Sequence, residues 1–99
     1  MVDKEIIKIK TCELYDLFSV KCVDILLAHK LLSAVYNVIW YRHLVHTART
    51  PEATSLARWS LEDARDRLGR VLRKTNFCDL DKNLVKYIAN NFEFDEYGE

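Results

Sequence analysis

Residues 24–49 read DILLAHKLLSAVYNVIWYRHLVHTAR, a run without glycine or proline. Set out at about 100° per residue, Leu27, Val38 and Val45 fall on one side of a helix, Ile25, Leu32 and Ile39 on the opposite side, and Leu26 and Leu44 in a third direction. The polar remainder is one narrow stripe, Lys30, Asn37 and Tyr41, with Asp24, Arg42 and Arg49 along another edge. A helix that is apolar nearly all round has to be wrapped by other elements. The stretch therefore predicts a central helix, about 39 Å long at 1.5 Å per residue, with the rest of the chain packed against it.

Working outward toward the start, apolar side chains already return every three or four positions from Leu14 through Phe18 and Cys22. A single helix from Leu14 to Arg49 would far exceed the ~8–20 residues usual in a small domain. A break is expected between Ser19 and Asp24, with the Asp24 carboxylate capping the central helix. Working toward the end, Thr50-Pro51-Glu52 is a restart: a capping hydroxyl, proline at the first helical position and an acid where the helix dipole favours it. Ala53, Ala57, Leu61, Ala64, Leu68, Val71 and Leu72 then form one stripe, opposed by Glu62, Asp63, Asp66, Arg70 and Arg73. This amphipathic helix should run to about Lys74, with Gly69 as its one weak helix former. Thr75 to Asp79 reads as a short link, followed by a last helix capped by Asp81, with Leu84, Tyr87, Ile88 and Asn91 or Phe92 on one face. At the two ends Ile7, Ile9 and Thr11 alternate with Lys8 and Lys10, and Phe92 and Phe94 with Glu93 and Asp95. Both patterns have period two, one basic and one acidic, which suits a short antiparallel two-stranded ribbon of the termini or, equally, frayed helix ends.

The expected fold class is therefore mainly α: three to four helices packed around the apolar helix at about 24–49, as one helical domain over residues 1–99. A chain of 99 residues builds one core. Two glycines and one proline are far below the usual ~7% and ~5%, which excludes loop-rich and collagen-like classes, while 49% apolar and 30% charged residues argue against disorder. No run of 18 uncharged apolar residues occurs and Met1-Val2-Asp3-Lys4-Glu5 does not open a signal peptide, so an intracellular, non-membrane protein is expected. Three cysteines, Cys12, Cys22 and Cys78, with no C-x-x-C pair, are expected to be buried and reduced. The absence of glutamine and the high charge hint at a thermostable protein, against which five asparagines count.

No catalytic or cofactor constellation emerges. His43 and His46 stand three apart, a spacing compatible with a metal, but no Cys, Asp or Glu nearby in sequence completes a ligand set, so they read as core or interface histidines. Ser-His-Asp spacing, glycine-rich phosphate loops and H-E-x-x-H are all missing. Glu62, Asp63 and Asp66 sit among arginines and read as a solvated charge face. The expectation is a non-enzyme without cofactor, metal or small-molecule substrate.

Two asymmetries remain. Lys plus Arg equals Asp plus Glu at 15 each, yet residues 42–74 carry eight basic and four acidic side chains, and residues 75–99 carry two basic and six acidic. All seven arginines lie between Arg42 and Arg73. Their partner is either the chain's own acidic segment or a nucleic-acid backbone met by Arg58, Arg65, Arg67, Arg70 and Arg73, with the interleaved acids weakening the second option. The other asymmetry is Trp59, which with Leu56 falls on the charged side of its helix. An exposed Trp is enriched at interfaces, so a cover is expected from the chain's own arms, from a second copy or from another partner. A central helix with more apolar faces than the other helices can cover favours a homodimer, with Trp59, Leu56, Trp40 and Tyr41 as interface candidates.

In overall character, the 99-residue length, high charge, lack of glutamine and arginine-rich middle resemble the small proteins of archaeal filamentous and rod-shaped DNA viruses, of lipothrixvirus and rudivirus type. That resemblance implies a soluble protein of the host cytoplasm with no assigned activity and no catalytic residues to carry over. The function expected first is a non-enzymatic helical interaction or assembly protein, homodimeric; the alternative is a nucleic-acid-binding accessory protein using the arginine-rich helix 51–74.

Overall fold

A computed structural model describes residues 7–21 and 25–94, in the order β1 (Ile7–Ile9), α1 (Thr11–Lys21), α2 (Ile25–Thr47), α3 (Pro51–Arg73), α4 (Asp79–Asn91) and β2 (Phe92–Phe94). The chain is mainly α, with four helices gathered on α2. Helix α2 supplies the middle of the core through Ala28, Leu31, Ala34, Val35, Val38 and Ile39. Around it lie Leu14 and Phe18 of α1, both fully buried, then Leu61, Leu68 and Leu72 of α3, and Val85, Ile88 and Ala89 of α4. No helix among the described residues is long and apolar enough to cross a membrane.

The most extensive packing is α2 against α3, an antiparallel hairpin closed by the short link 48–50. The restart at Thr50 works as the sequence suggests. Thr50 is extended, its Oγ1 accepts the Ala53 amide at 3.1 Å, and Pro51 opens the helix without needing a donor. Ala57 and Ala64 on the buried stripe keep α3 close to α2. At the far end Thr75, itself buried, donates its hydroxyl to the Leu72 carbonyl at 2.7 Å, and Phe77 tucks into the core before α4 begins.

Several expectations are corrected. The central helix expected at about 24–49 is present as Ile25–Thr47, while the proposed Asp24 cap lies outside the described residues. Ile25 and Leu26, placed inward by periodicity, are exposed at the start of α2. The cap of α4 is Cys78, which makes no side-chain cap hydrogen bond; Asp79 and Asp81 lie inside the first turn, where the helix dipole still favours them. The buried face of α4 is Val85, Ile88 and Ala89, leaving Leu84 and Tyr87 exposed. Both faces satisfy the helical period, and the fully buried, small Ala89 lets this one approach α2 closely. Cys12 and Cys78 are free and exposed, not buried, because one sits in the first turn of α1 and the other in a link; Cys22 lies outside the described residues.

The ends pair, but in parallel and not as an antiparallel ribbon: Ile7 lies opposite Phe92, Lys8 opposite Glu93 and Ile9 opposite Phe94. Antiparallel geometry follows from a tight turn joining two strands. Here β2 continues directly from α4, so its direction is set by how α4 packs on α2.

Arg42 locks this end of the molecule. Its Nη1 donates to the Phe92 carbonyl at 2.8 Å and the Ala89 carbonyl at 3.1 Å, and its Nη2 lies 3.6 Å from Glu93 Oε1. The last carbonyls of any helix lack partners within it, and α4 has no basic residue in its own last turn. The cation that complements its dipole comes instead from α2. Burial lowers the pKa of Arg42, the Glu93 charge opposes that shift, and the Arg65 charge adds to it.

Candidate functional site

The α2–α3 hairpin carries two hollows, neither lined by a residue of α4. Their lining includes Lys30, Asn37, Tyr41 and Leu44 of α2 with Ala48 just after it, spaced by seven, four, three and four residues, and Ala53, Leu56, Ser60, Arg67 and Val71 of α3 with its C-cap Lys74. These spacings keep each set on one helical face. Because the helices are antiparallel, the C-terminal half of α2 meets the N-terminal half of α3 at one end, and the reverse holds at the other.

The first hollow is apolar. It is a shallow depression of about 380 Å³ lined by Tyr41, Leu44, Thr47 and Ala48 of α2 and its link, and by Ala53, Leu56, Ala57 and Ser60 of α3. Leu56 is 67% exposed, and Trp59, one turn further along α3, is 79% exposed. Of the four interface candidates, Leu56 and Tyr41 thus line one depression and Trp59 stands beside Leu56. Trp40 lies apart and half-buried, its ring 5.7 Å from that of His43.

The second hollow is basic. It is an open cleft of about 660 Å³, with Lys30, Ser33, Ala34 and Asn37 on the α2 side and Arg67, Arg70, Val71, Arg73 and Lys74 on the α3 side. Its five cations are all exposed and no carboxylate lines it. Among the described residues none of the five forms an ion pair.

The arginines therefore divide. Arg42 is held by Glu93 and two carbonyls, as an internal acidic partner would have it. Arg65 donates to Asn90 Oδ1 at 2.9 Å and pairs with Glu62 at 3.1 Å, which ties α3 to α4 and turns Glu62 away from the cleft. Arg58 lines neither hollow. Arg67, Arg70 and Arg73 are the members of the nucleic-acid candidate set that converge.

Lys30, Lys74, Ser33 and Asn37 escaped the sequence reading. Lys30 and Asn37 belong to the polar stripe legible on α2, but nothing in one helix reveals what the neighbouring helix sets opposite it. A second exposed apolar row, Leu80, Leu84 and Tyr87 on α4, was also missed, although its spacing of four and three is visible in the sequence. His46 is exposed and His43 half-buried, and no group of three His, Cys, Asp or Glu able to hold a metal gathers among the described residues. Comparison of the chain with protein-family models, with curated proteins and with solved structures finds no match.

Proposed function

We propose that this protein is a non-enzymatic interaction protein that assembles as a homodimer through the N-terminal half of α3. The observation that carries this is Trp59, 79% exposed on a well-packed helix beside Leu56 and an apolar depression. Large aromatic side chains left wet on otherwise charged helices are the usual anchors of interfaces. A two-fold contact lets one patch serve both copies, with Trp59 and Leu56 of each protomer set against the depression of the other. The lining of the depression joins apolar Leu44, Ala48 and Ala53 to polar Thr47 and Ser60, a mixture that suits a specific interface.

The test is molar mass by light scattering across a dilution series. The wild type is expected to be dimeric in the micromolar range. Trp59→Arg should weaken dimerisation at least about 30-fold, the effect of losing a hot-spot anchor worth about 2 kcal/mol. Leu84→Arg, on the α4 row, should leave the dimer intact. A wild type that stays monomeric at high micromolar concentration refutes the proposal.

A further inference from the structure

We propose that the basic cleft between α2 and α3 is a binding site for the phosphate backbone of single-stranded nucleic acid, present in each protomer and independent of dimerisation. Five cations converge there from two helices: Lys30 from one wall, and Arg67, Arg70, Arg73 and Lys74 from the other. Arg42 and Arg65 are each paired with a carboxylate of the chain, whereas among the described residues none of these five forms an ion pair. Like charges held together in a cleft repel one another and gain only when an anion is placed between them. The guanidinium groups supply paired donors matched to phosphate oxygens, and the Ser33 hydroxyl and Asn37 amide add neutral donors on the facing wall.

The shape and surroundings select the source of the phosphates. All five cations are exposed and the cleft is open, whereas a small-molecule pocket encloses most of its ligand. A polymer that passes through the cleft suits it better. A duplex is disfavoured because Asp63 and Asp66 stand exposed on the same α3 helix just before the cleft. Those carboxylates would face a rigid duplex lying across α3, but a single strand can bend into the cleft and leave them in water. An acidic protein segment would need an apolar anchor at this end, and the lining provides only Ala34 and Val71. Contacts to phosphates carry no sequence information, so the binding is expected to be sequence-tolerant.

The experiment is fluorescence anisotropy of fluorescein-labelled dT10 and rU10 with the full chain, at 50 to 200 mM salt. With roughly four phosphates neutralised, the slope of log K against log salt should be about −3, a loss of roughly 60-fold over that range. Arg67→Ala/Arg70→Ala should weaken binding at least tenfold and flatten the slope by about 1.4, with an unchanged circular dichroism spectrum because neither side chain supports the core. Arg58→Ala should stay within twofold of wild type, and Trp59→Arg should bind normally per protomer, which separates this site from the proposed dimer. Several results would overturn the assignment: no binding at 50 mM salt, equal losses in Arg58→Ala and Arg67→Ala/Arg70→Ala, a duplex of the same length binding as tightly, or tripolyphosphate or polyglutamate displacing the oligonucleotide at equal charge concentration.

Discussion

Replacing Arg42 by Met tests the claim that one side chain of α2 fastens the end of α4 and the terminal strand. The substitution keeps an unbranched apolar stem of similar reach and removes the guanidinium. Two hydrogen bonds from a charged donor are lost, at 2.8 and 3.1 Å, each worth about 1.5–3 kcal/mol when its partner is left unsatisfied. The side chain is 14% exposed and Ala89 is fully buried, so water replaces little of what is removed. The charge at the α4 C-terminus contributes a further ~0.3–1 kcal/mol. Against this stands the cost of burying the cation, visible in its lowered pKa and recovered when it is removed. The expected net loss is about 2–4 kcal/mol, a large part of the ~5–15 kcal/mol typical of a domain. Urea denaturation followed by circular dichroism measures it, and amide exchange should show the loss of protection concentrated in residues 85–94. Arg42→Lys, which keeps the charge but not the fork, should lose about half as much. Glu93→Gln removes only a partly exposed pair at 3.6 Å and should cost under about 1 kcal/mol. An Arg42→Met loss below about 0.5 kcal/mol, or a Glu93→Gln loss as large as that of Arg42→Met, would refute this role of Arg42.

Gly69 lies inside α3 and an added Cβ would meet nothing within 4 Å; Gly69→Ala should therefore stabilise by about 0.5–1 kcal/mol, seen as a melting temperature raised by roughly 2–8 °C. Cys78 caps α4 with no side-chain acceptor in use; Cys78→Ser supplies one for the Leu80 or Asp81 amide and should add about 0.5–1 kcal/mol in the same melt. Thr50→Ala removes the 3.1 Å bond to the Ala53 amide and should cost about 1 kcal/mol in urea, a value that Thr50→Ser should largely restore.

The helices and their order were legible in the chain itself. An apolar run without glycine or proline between Ile25 and Thr47, and the Thr50-Pro51 restart, depend on local backbone preference and on a period that any observer can count. The buried stripe of α3, Ala57 to Leu72, was legible for the same reason. What local pattern leaves undecided is every choice between two acceptable partners. Helix α4 has two apolar edges, and packing against α2 chose Val85, Ile88 and Ala89 over Leu84 and Tyr87. The terminal strands can pair in either direction, and the docking of α4 made them parallel. The seven arginines look alike along the chain. Only the fold decides that Arg42 and Arg65 are held by groups of the protein while Arg67, Arg70 and Arg73 converge with Lys30 on an open cleft. Charge is a property of the sequence, but the field at a site depends on distances between side chains that lie 37 or more residues apart in the chain and meet only because α2 and α3 fold back on one another.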